Sequence, residues 1–75
     1  MMDTNINPTT LKEYGFVECI AKNGQYFNKQ DLLNIVHVWN MFWMPCIIYA
    51  GNIYLCEMIR FDNMEDIETY IQTKL

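Results

Sequence analysis

Serine is absent from these 75 residues, and 32–56 contains no Asp, Glu, Lys or Arg. Each gap excludes something. Without serine there is no nucleophile of the Ser–His kind. The three glycines stand alone at 15, 24 and 51, so no loop can cradle a phosphate. Basic residues are scarce and scattered (Lys12, Lys22, Lys29, Arg60, Lys74) in a chain of net charge −4. Nucleic-acid binding needs them clustered, so direct contact with nucleic acid is not expected. The cysteines, Cys19, Cys46 and Cys56, are odd in number and show neither CxxC nor Cys/His spacing. That argues against a zinc site and a disulfide scaffold alike. The opening MMDTNINPTT does not read as a secretory signal. Reduced thiols in the cytoplasm, packed as small apolar side chains, are the expectation.

Acid–base chemistry is equally thin. His37 is the single histidine and lies in an apolar strand pattern, where a histidine is usually a hydrogen-bonded core or rim residue. Cys46 is the one cysteine placed to approach it, and nothing in the pattern orients the pair. Asp62, Glu65 and Asp66 are close in sequence, but a helix start explains them better than a metal does. The expectation is a protein without catalytic residues, metal or cofactor.

What is present is a charge-free run, LLNIVHVWNMFWMPCIIYAGNIYLC, holding both tryptophans, Trp39 and Trp43. It has the length of a membrane span. Yet Asn34, His37, Asn40, Pro45, Gly51 and Asn52 interrupt it, and no Lys or Arg cluster flanks it. Strands joined by hairpins fit better, with no membrane involved.

Periodicity divides the chain into one domain over 1–75, with 1–7 frayed. Pro8 or Thr9 starts a short helical turn that places Leu11 and Tyr14 inward and ends at Gly15. FVECIAK alternates as a strand. Asn23-Gly24 then predicts a type I′ turn pairing 16–22 with 25–29. LLNIVHVW follows, Asn40 breaks it, and MFWMPCIIY contains Pro45, which calls for a sheet edge or a bulge. Gly51-Asn52 suits a tight turn, and IYLCEMIRF reads as the last strand. Asp62 with Glu65 forms a capping-box pattern before a helix whose apolar stripe is Met64, Ile67 and Ile71, widened by Tyr70 and Leu75. The fold class is α+β: an antiparallel β-meander of four to five strands with a C-terminal α-helix packed on one face.

The middle strands are apolar on both parities, which is how strands covered on both faces read. One helix covers one face. The second face therefore calls for a protein partner or a second copy, unless strong curling hides both faces as in a small barrel. Trp39, Phe42, Trp43, Tyr49 and Tyr54 are the candidate protein-binding residues, aromatics being enriched where binding energy concentrates.

The layout L-x-x-x-G-F (Leu11 to Phe16), an NG hairpin, a Trp-rich strand, a Gly-Asn hairpin and a helix opening DNMEDIETYI resembles small proteins of phages and mobile elements. Their hosts are gut anaerobes and low-GC bacteria. Some such proteins inhibit host defence, anti-CRISPR proteins among them. The resemblance implies a non-catalytic binding or inhibitor module. A homodimeric structural or assembly protein is the alternative, and an acidic DNA mimic a further one.

Overall fold

The computed structural model describes residues 5–74, so the expected fraying falls partly outside it, on residues 1–4. Within it, Asn7 caps the first helix, α1 (Pro8–Glu13). Its Oδ1 accepts from the Thr10 N–H at 2.9 Å, and Thr10 Oγ1 accepts from the Asn7 N–H at 3.0 Å. This reciprocal pair satisfies amides that a helix start otherwise leaves bare. Pro8 at the first position loses nothing, since its missing N–H has no helical partner there. Gly15 ends the turn with φ 94°, a conformation that disfavours any side chain.

Five strands follow in simple meander order: β1 (Val17–Ala21), β2 (Gly24–Lys29), β3 (Leu33–Val38), β4 (Phe42–Tyr49) and β5 (Asn52–Leu55). All neighbours are antiparallel. Three of the four connections place consecutive residues at positive φ: Gln30-Asp31, Trp39-Asn40 and Ala50-Gly51. Turns of this hand match the right-handed strand twist, so the meander coils as it proceeds. The first hairpin corrects the sequence reading. Its register pairs Ala21 with Gly24, so the connection is Lys22-Asn23, and neither residue has positive φ. The last hairpin is likewise one residue earlier than read, turning at Ala50-Gly51 because Tyr49 pairs with Asn52.

Pro45 is neither at an edge nor in a bulge. β4 lies between β3 and β5, and its register with β3 runs without interruption from Phe42 to Cys46. The backbone groups of Trp43 and Pro45 face the β5 side, where Phe61 N donates to Trp43 O at 2.8 Å and Cys56 N reaches Pro45 O at 3.5 Å. The proline nitrogen thus points where an N–H would be needed to carry the ladder past Leu55. It has none to give, and the strand stops. IYLCEMIRF is consequently not one strand: Cys56–Arg60 leaves the sheet, and Phe61 returns as an isolated bridge to Trp43.

The second helix, α2 (Met64–Lys74), starts one residue later than its capping pattern implied. Asn63 Oδ1 accepts from the Asp66 N–H at 2.9 Å, while Asp66 Oδ2 accepts from the Asp62 N–H at 3.1 Å. Asn63 rather than Asp62 is the cap. It is the Asp66 carboxylate rather than that of Glu65 that turns back to the helix start, taking the Asp62 N–H instead of the cap's own. Met64, Ile67 and Ile71 are buried as the stripe required; Leu75 lies outside the described residues. They meet Leu11, Phe16, Phe27, Leu33, Ile35, Trp43 and Phe61 in a single core. Complete burial of a side chain such as Ile35 or Ile67 stabilises by about 1.5–3 kcal/mol.

The uninterrupted β4 register fixes the parity left open by Pro45. Trp43 and Pro45 lie on the face covered by α1 and α2; Phe42, Met44, Cys46 and Ile48 lie on the other. That second face is partly closed by curling. The Asn23 amide bonds both the N–H and the C=O of Ile53, at 2.8 and 3.1 Å, and Lys22 N donates to Gly51 O at 2.7 Å. The tip of the first hairpin is thereby tied to the start of β5, and Met44 and Cys46 become buried without a second helix. Of the two ways to cover this face, a partner or curling, it is curling that covers its middle.

Candidate protein-binding surface

Curling covers the middle of the second face and leaves one end open. There Val38, Phe42, Met44 and Leu55 floor a trough of about 340 Å³. The Cys56–Arg60 excursion forms one wall, contributing Met58, Ile59 and Arg60. Trp39, at the tip of the β3–β4 hairpin, forms the other. The size is at the lower end of small ligand-sized cavities, and the lining is apolar apart from one cation.

Two features of this trough are energetically unfavourable for the isolated chain. Trp39 is 80 % exposed and has φ 56°; Met41 N–H to Val38 O at 3.0 Å closes the turn around it. A left-handed backbone costs an ordinary L-residue about 1–2 kcal/mol, and nothing in the core repays it through the indole. Met58 is 87 % exposed. Strained, exposed apolar residues of this kind cluster where a surface has work besides folding. Arg60 is the only arginine of the chain, and its guanidinium lies 5.1 Å from the centre of the Phe42 ring. Its ion pair with Asp62 is long, at 3.9 Å, with both side chains exposed, and so contributes little.

The five candidate aromatics do not form one cluster. Trp39 and Phe42 line the trough. Trp43 is a correction: it is a core residue, 8 % exposed, edge-on to Phe27 at 5.8 Å and stacked under His37 at 4.3 Å. Even parity carries a β4 side chain to the trough and odd parity to the helices, so one position separates Phe42 from Trp43. Tyr49 and Tyr54 are exposed on the helix side of the β4–β5 hairpin, away from the trough. Met58, Ile59 and Arg60 were missed because the segment read as strand. The signal available was Pro45, which ends the ladder opposite them.

His37 and Cys46 lie on opposite faces of the sheet, which removes the one Cys–His pair the sequence offered. Burial pushes the Cys46 thiol up to about 12, with Cys56 nearby adding to the rise, so it stays protonated at neutral pH. Tyr26 is raised by burial and by Cys19 beside it. Among the described residues no His, Cys, Asp and Glu side chains converge as metal ligands, and no helix is long and apolar enough to cross a membrane. No protein family, curated protein or solved structure matches the chain.

Proposed function

We propose that this chain is a non-catalytic protein-binding module, and that its partner docks an apolar side chain into the trough between Trp39 and Met58. One observation carries the reading: a tryptophan held exposed at positive φ on the rim of an apolar trough. Aromatic and methionine side chains around a concave apolar centre make the usual energetic core of an interface. The single arginine on the rim supplies a directional polar contact. The resemblance to small phage and mobile-element proteins supports the narrower form, a cytoplasmic inhibitor of host defence.

The test is comparative capture. Tagged chain and its Trp39→Ala and Met58→Glu variants are each used to retain proteins from a lysate, with circular dichroism confirming that all three fold. A partner retained by the parent and lost from both variants supports the reading. Equal recovery by all three would remove it.

A further inference from the structure

We propose that two copies of this chain associate through the outer edge of β1, antiparallel about a two-fold axis at Cys19. Two five-stranded sheets become one of ten strands. The surface is separate from the trough, and the inference does not depend on it.

The two ends of the sheet are treated differently. On β5 the outward N–H and C=O of Ile53 are both occupied by the Asn23 amide. On β1, the other terminal strand, no strand lies alongside among the described residues. Bare edges invite pairing, and soluble proteins normally block them with charge, proline or a covering segment. Here the strand is Val17-Glu18-Cys19-Ile20-Ala21, with Val17 61 % and Ile20 80 % exposed. Its one charge, Glu18, is already met by Lys12 at 3.6 Å.

The alternation of hydrogen bonds identifies which groups are free. Ala21 and Gly24 flank a two-residue connection, so they exchange bonds with each other, as do Cys19 with Tyr26 and Val17 with Asn28. Lys29 agrees from the other side: its C=O accepts from Leu32 and so faces β3. Glu18 and Ile20 therefore turn their N–H and C=O outward. The next outward residue, Lys22, has its N–H held by Gly51, which ends the usable edge.

These limits select one register and one occupant. An antiparallel second copy with Glu18 opposite Ile20, and Ile20 opposite Glu18, uses every outward group on both strands. Centring the axis on Glu18 sets two carboxylates against each other, which is unfavourable. Centring it on Ile20 sets Glu18 against the blocked Lys22. The axis at Cys19 remains. It places the two Cys19 residues at a non-hydrogen-bonded pair, where Cα atoms lie about 4.5 Å apart, close enough for a disulfide.

Position 20 tests pairing and register together. Under reducing conditions sedimentation of the full chain is expected to show a dimer at micromolar concentration. Ile20→Glu, which sets glutamates opposite Glu18 at both ends, is expected to raise its dissociation constant about tenfold or more. Ile20→Lys, which sets lysines there, is expected to leave the dimer as tight or tighter. Position 20 is exposed, so both variants keep the fold. Diamide, which takes up the two protons and two electrons lost by a thiol pair, is expected to link copies through Cys19, as read by peptide mapping. A monomer at all concentrations, the same effect from both substitutions, or links through Cys56 instead would overturn the proposal. So would dissociation by Trp39→Ala, because the second copy would then occupy the trough.

Discussion

The two tryptophans separate two kinds of residue. Trp43 is enclosed by Phe27, His37 and the helices, and truncating a buried aromatic costs about 3–5 kcal/mol. A single small domain holds few kcal/mol in reserve, so Trp43→Ala is expected to abolish the cooperative unfolding transition near room temperature. Trp39 should behave in the opposite way. Asparagine tolerates the left-handed region and the indole contributes little packing, so Trp39→Asn is expected to raise the urea midpoint by an amount equivalent to about 1 kcal/mol. The same variant should lose the captured partner. A lowered midpoint would show that the indole stabilises the fold.

At the scale of elements, α2 is held at both ends. Asn63→Ala removes the cap and is expected to cost about 0.5–2 kcal/mol in chemical unfolding. Asp62→Ala should cost much less, since its side chain has only the long contact with Arg60. At the other end Tyr70 donates a hydrogen bond to Glu57, and Lys74 sits 3.3 Å from the same carboxylate. These partners, Tyr70 first, hold Glu57 below its ordinary value. Burial, then the Glu57 bond, lifts Tyr70 to about 12. Both shifts set the pH response. A depressed carboxyl contributes stability above its unfolded value near 4.5, which is lost as pH falls through the lower folded value. A raised phenol contributes stability below its unfolded value of 10.0, which is lost as pH climbs toward about 12. Tyr70→Phe should flatten the Tm profile in the alkaline window and weaken its acid limb. An unchanged profile would mean the tie does not hold the helix.

For the whole molecule the decisive feature is the curl that joins the first hairpin to β5. Asn23 and Ile53 lie 30 residues apart in sequence, and their paired bonds are its side-chain fastening. Asn23→Ala is expected to cost about 1 kcal/mol. It should also speed amide exchange at Ile53 and increase binding of a hydrophobic dye, because loosening the curl uncovers Met44 and Cys46. Exchange at Ile53 matching the parent's would place the closure elsewhere.

Much of the fold was legible because local rules act locally. Alternation gave the strand sequence, and the spacing of Met64, Ile67 and Ile71 gave the helix and its buried stripe. The turns were placed one residue off, because a two-residue connection can slide by one without altering either flanking pattern. The charge-free run made β3 and β4 apolar on both parities. It did not contain the outcome of that choice. Which parity met the helices depended on whether the ladder passed Pro45 unbroken, and where β5 ended depended on the backbone facing that proline. The middle of the second face was then closed by Asn23 reaching Ile53, a contact between residues that no periodicity relates. The open trough is the remainder: the part of an apolar face that the curl covers no further, with Trp39 and Met58 left at its rim.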